Sequence, residues 1–159
     1  MTVETFIDNS KGPTRDDIHR EVFAFLVNKQ AVIQGAYAVG HYTQVTQVER
    51  ETRDLEIVST YAQALAEELK KTLNKKLGLK IRVREKKIVY QVYETGQRHQ
   101  TIVNIEKATI LPAFVEASGL KIMERETLIE RKERAAVSRG ETIKVAYDRA
   151  DLLALTQKK

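Results

Sequence analysis

The sequence predicts an α+β fold, a central mixed sheet with helices packed on it. Apolar residues recur at helical spacing in separate stretches, short β-rich runs lie between them, and three such runs follow one another in mid-chain. A chain of 159 residues is long enough for one core that needs no covalent staples, and one domain over 1–159 is expected. At 42% hydrophobic and 31% charged residues the composition is that of a folded aqueous protein, not a disordered chain.

The elements follow in order. Residues 14–30 carry Ile18, Val22, Phe25 and Leu26 on one helical stripe, with Pro13, Asp16 and Asp17 near the start, which predicts a helix. "AVIQG" then reads as a short strand ending at Gly35, and "AYAVGHY" as a helix turning away from it. "TQVTQVERET" is a polar connection to the strand "RDLEIVS", residues 53–59. The next helix has Thr60 as its expected N-cap and Gly78 where it should stop. "LKIRVREK", "IVYQVYETG" and "QTIVNIEKA" read as neighbouring antiparallel strands, with a turn at Glu94, Thr95 and Gly96. After "LPAF" the chain is expected to be helical at "ERETLIERKERAAVSRG" and again at "VAYDRADLLALTQ". No internal repeat or linker divides it.

Composition also removes chemistries. There is no cysteine, so thiol nucleophiles, disulfides and thiolate metal sites are excluded. No apolar run approaches the ~18 residues of a membrane span, and the polar start lacks the order of a secretory signal. A cytoplasmic location is expected. Net charge is +5, but 27 basic residues are interleaved with 22 acidic ones, which permits an RNA or nucleotide partner without demanding one. The densest basic stretch, residues 70–87, reads either as a helix end with a lysine-guarded edge strand or as a nucleic-acid patch.

The chemistry-bearing stretch is "RDLEIVS". Period-two geometry sets Asp54 and Glu56 on one face and Leu55 and Ile57 on the other. Two carboxylates so close repel unless solvent or a cation lies between them. Mg²⁺ or Mn²⁺ suits such a pair, since Mg²⁺ is held by one or two protein carboxylates together with substrate phosphates and water. Glu106 has the phase to be a third acid, because Ile102, Asn104 and Glu106 share a face of their strand while Val103 and Ile105 share the other. Gly35, at a strand-to-helix turn, lets backbone amides approach a phosphate. The bland reading of the acids is a solvated strand face.

An apolar strand ending in Gly35, a helix, and then Asp54-Leu55-Glu56 on the following strand resembles the nucleotidyltransferase superfamily. The stretch from Leu120 to Leu155 is similar to the end of AbiEii-type nucleotidyltransferases. The resemblance touches Val32 to Leu155 and implies a nucleotidyltransferase-like sheet with the acids at one edge. It implies metal-dependent transfer of a nucleoside monophosphate from an NTP to an acceptor hydroxyl, with Asp54, Glu56 and Glu106 as metal ligands or base. Lys132 and Asp148 or Asp151 would lie near the triphosphate. The acceptor would be tRNA, another RNA or a protein, and a toxin paired with a protein antitoxin is a role such relatives have. Ala36 stands where the pattern has glycine or serine, and the glycine-to-acid interval is long. Both departures keep open a non-catalytic relative that binds nucleotide, RNA or protein.

Overall fold

Thr14 starts the first helix through a reciprocal cap: its side chain accepts from the Asp17 amide at 3.1 Å and the Asp17 carboxylate accepts from the Thr14 amide at 2.9 Å. The computed structural model describes residues 13–43, 54–95, 101–138 and 152–156. Helix α1 is Arg15–Leu26, followed by strand β1, Ala31–Gln34, and helix α2, Gly35–Thr43. Strand β2, Leu55–Ser59, leads into the long helix α3, Ala62–Leu77. Three strands come next: β3 is Ile81–Lys86, β4 is Val89–Glu94 and β5 is Thr101–Lys107. A hairpin of β6, Phe114–Ala117, and β7, Leu120–Met123, precedes helix α4, Arg125–Ser138, and a short helix α5 covers 152–156.

Seven strands form one mixed sheet in the order β3-β4-β5-β2-β1-β7-β6. β2 runs antiparallel to β1 and parallel to β5, and β3, β4 and β5 are the antiparallel neighbours that the sequence predicts. Alternation decides what each face does. Leu55 and Ile57 bury on one side with Ile33, Val103 and Ile105, under Ile18, Val22 and Leu26 of α1 and Leu65, Leu69 and Leu73 of α3. Val32 and Val58 point to the other side and pack with Ala38 and Val39 of α2, Leu128 of α4 and Leu155 of α5. Ile102, placed by alternation with Asn104, is instead buried in the first cluster, beside a register shift between Val92 and Tyr93.

Three expectations are corrected. Thr60 does not cap α3: the N-cap position is Tyr61, without a side-chain cap, and Ser59 Oγ accepts from the Tyr61 amide at 3.2 Å. The stop at Gly78 holds, with φ +62 and its amide donating to the Asn74 carbonyl. The helical region after "LPAF" is preceded by the β6–β7 hairpin, whose turn places Ser118 and Gly119 at positive φ. Most important for function, the acids do not lie at a sheet edge. β2 is the fourth of seven strands, so Asp54 leads directly into the central strand and Glu56 is its second residue.

Candidate functional site

Gly35 ends β1 and begins α2 with φ +68, a left-handed conformation that favours glycine. A Cβ built there would stand 2.2 Å from Glu56 Oε2. The glycine therefore does two things at once: it turns the chain, and it leaves the space that the Glu56 carboxylate fills. Gln34, the residue before it, is the register partner of Glu56 across β1 and β2. On the other side Glu56 pairs in register with Asn104 of β5. Asn104 donates from Nδ2 to Asp54 Oδ2 at 3.4 Å, while its own Oδ1 is buried without a hydrogen-bond partner among the described residues. A buried acceptor beside two carboxylates calls for a cation or a proton donor.

Two arginines bound the group. Arg15 at the start of α1 reaches Asp54 Oδ1 at 3.4 Å. Arg131 of α4 donates to Gln34 Oε1 at 2.8 Å and lies 3.4 Å from both oxygens of Glu106. Gln34 also donates to Glu106, at 3.4 Å. Glu106 sits two register pairs beyond Asn104, opposite Val58. Among the described residues no three His, Cys, Asp or Glu side chains are grouped to hold a metal ion. The oxygens brought to Asn104 are thus those of Asp54, within its hydrogen-bond reach, and of Glu56, its register partner, while Glu106 is held further along β5 by Arg131.

The remaining candidates sort by position. Ala36 is buried in the first turn of α2. Lys132 follows Arg131 on α4, about 100° further around the helix from the cation that bonds Gln34 and Glu106. Asp148 and Asp151 lie outside the described residues. Tyr37 packs against the first core cluster and Tyr42 against the second, so both serve packing. The Tyr37 hydroxyl lies 2.7 Å from His19 Nδ1. Burial holds the His19 pKa below its ordinary value, and the positive charge of Arg15 lowers it further. His19 therefore packs as a neutral ring one helical turn from the arginine that holds Asp54.

Sequence reasoning missed Arg15, Gln34, Asn104 and Arg131. A signal existed for two of them. Arg131 is three residues after buried Leu128, hence on the helix face turned to the sheet, and Asn104 interrupts the apolar run from Ile102 to Ile105.

No family model matches the chain, and no curated protein sequence matches it. The fold is similar to that in the crystal structure of the Megavirus polyadenylate synthase, at a TM-score of 0.72 and 15% identity over 89% of this chain. The match covers 30% of that protein, so the chain spans less than a third of its length. A nucleotidyltransferase-like antigenic protein from Paracoccidioides brasiliensis is similar more loosely, at a TM-score of 0.46 and 15% identity, over 79% of this chain and 66% of that one. The chain has a nucleotidyltransferase-like fold, a seven-strand mixed sheet with flanking helices. No helix among the described residues is long and apolar enough to cross a membrane.

Proposed function

We propose that the chain transfers a nucleoside monophosphate from an NTP to an acceptor hydroxyl, with pyrophosphate leaving and Asp54 and Glu56 holding a divalent metal ion. The observation that carries this reading is the contact between Gly35 and Glu56: the turn that could admit phosphate and one of the two acids that would face its metal lie against one another. The donor set fits Mg²⁺ or Mn²⁺, since two carboxylates and the orphaned Asn104 Oδ1 are hard oxygens. Bound there, the ion would neutralise charge developing on the phosphates. Asn104 fixes the Asp54 carboxylate through its Nδ2. Gly35 and Ala36, opening α2, offer backbone amides to the triphosphate.

Arg131 has two anions to choose from in this reading. In the free protein it neutralises Glu106. A triphosphate at the Gly35 turn would draw it away, because Gln34, which it also bonds, directly precedes that glycine. Glu106 would then be released to serve as third ligand or as base for the acceptor hydroxyl. Lys132, Asp148 and Asp151 keep the place near the phosphates that the AbiEii-type resemblance gives them. That resemblance alone supports the AbiEii assignment, a toxin role with an antitoxin, and tRNA as acceptor.

Isothermal calorimetry with each NTP, with and without Mg²⁺, tests the reading. Binding should require the cation, because the acid pair repels a bare triphosphate. Equal affinity in both conditions would overturn it and leave the non-catalytic module motivated by Ala36.

A further inference from the structure

Followed outward from Glu56, the strand registers align one polar residue per strand: Gln34 on β1, Glu56 on β2, Asn104 on β5, Gln91 on β4 and Arg84 on β3. Residues paired in register project to the same side of a sheet. The row thus runs on one face from the candidate acids to the outer strand, three strand spacings or ~14 Å from Glu56. On β3 this face carries Arg82, Arg84 and Lys86, all exposed, and on β4 it carries Val89, Gln91 and Tyr93. The acids of these two strands, Glu85 and Glu94, alternate onto the other face. Glu85 accepts there from Lys107 at 3.1 Å and meets the hydroxyl of Tyr90, which is part of the first core cluster.

Charge on β3 and β4 is therefore sorted: only cations on the face shared with Asp54 and Glu56, both acids on the reverse. An edge strand guarded against pairing needs charge, but it needs no such sorting. The helices on this face, α2 and α4, pack over β1, β2 and each other. Arg84 lies over the Tyr93 ring at 4.7 Å, its Nε donating to Gln91 Oε1 at 2.7 Å. A fixed guanidinium and an aromatic ring beside two further cations suit a polyanion whose bases are open to stacking.

We propose that Arg82, Arg84, Lys86 and Tyr93 form a binding surface for single-stranded nucleic acid, whose end the polar row leads to Asp54 and Glu56. Every second residue of a strand repeats at ~7 Å, so three cations track an extended backbone in file. Only the role of this strand as acceptor rests on the transferase reading; the binding itself does not.

The test is fluorescence anisotropy with a labelled single-stranded RNA of mixed sequence, about 12 nucleotides long, within the ~4–16 that one binding module covers. It is run in EDTA without NTP, over a salt series. The combined variant Arg82→Gln, Arg84→Gln, Lys86→Gln should bind at least about tenfold more weakly, with a salt slope lower by about 2. Tyr93→Ala should weaken binding by about tenfold. A variant with Lys71→Gln, Lys75→Gln and Lys76→Gln removes the same charge from the exposed side of α3 and should bind like wild type. Arg84→Gln alone supplies the reading if the combined variant melts below wild type. An equal loss in the α3 variant would overturn the proposal. So would Tyr93→Ala binding like wild type while polyglutamate displaces the RNA, which would point to an acidic protein. Since no metal or NTP is present, RNA binding that survives a failed calorimetric test would remove the reaction and keep the surface.

Discussion

The two faces of the one sheet are built to different ends. The face under α1 and α3 is sealed by leucine, isoleucine and valine, with Leu65, Leu69 and Leu73 wholly buried against β2 to β5. The opposite face is apolar around Val32 and Val58; further along β1 and β2 it presents Gln34 and Glu56, and on neighbouring β5 it presents Asn104 and Glu106, all half-buried. Strand alternation lets one strand serve both. Leu55 and Ile57 anchor β2 from below while Asp54 and Glu56 are held up on the other side, so packing and chemistry are carried by separate side chains of one short segment.

The sharpest way to break the comparison is to cut into the sealed face. Leu69→Ala should cost about 2–5 kcal/mol, the loss of a buried leucine plus the cavity it leaves. Urea denaturation measures it. A change below about 1 kcal/mol would mean that the α3 face collapses freely, which wholly buried, close-packed leucines should not allow.

A smaller cost is expected where the faces meet the turn. Gly35→Ala puts a Cβ where Glu56 Oε2 now lies and asks alanine to hold φ +68. The backbone part should be about 1–2 kcal/mol. The packing part can be relieved by moving Glu56, so Glu56→Ala in the same chain should recover some stability, read as a coupling in a double-mutant cycle. Additive losses would break the link between the turn and the acid.

What was legible in advance follows the same division. Face assignments on β2, the stop at Gly78 and the antiparallel β3-β4-β5 unit rest on local rules of alternation and glycine conformation, and those rules can be read from neighbours in sequence. The placement of β2 at the sheet centre could not be read so, because it depends on β1 pairing with β7 across 122 − 33 = 89 positions. The hairpin behind that pairing hid in "FVEASGLKIM", where β6 is largely exposed and shows no alternation. Asp54 and Glu56 were visible as a spacing, whereas their neighbours Asn104, Arg15 and Arg131 lie 50, 39 and 77 residues away from Asp54 in sequence, 104 − 54, 54 − 15 and 131 − 54. Spatial partners of that kind leave no local pattern.

A gentler effect comes from His19, which belongs to α1 on the sealed side and feels the charge of Arg15, the arginine that reaches Asp54. Its folded pKa is depressed by burial, so between that value and the ordinary ~6.5 the unfolded chain binds the proton and the folded one does not. Stability from the neutral ring is thus fully present above about pH 6.5 and is lost as pH falls through the folded value. Melting temperatures from pH 8 down to about 5 should fall more steeply for wild type than for His19→Phe. Parallel curves would show that the ring titrates as it does in the unfolded chain.

The smallest change in stability is expected at the acids themselves. Asp54→Asn with Glu56→Gln removes the ion pair to Arg15, whose side chains are 21% and 36% exposed, and such a pair is worth about 0–1 kcal/mol. It also removes the repulsion between two carboxylates on one strand face, which acts in the opposite direction. Both amides keep the shape of the originals, and Asn104 Nδ2 can still donate to the oxygen at position 54. The net shift should stay within about 0.5 kcal/mol, against the several lost at Leu69. Divalent-dependent NTP binding, by contrast, should disappear. A double variant that loses more than about 2 kcal/mol would show the acids to be part of what holds this face together, and the division between a packing face and a chemical face would fail.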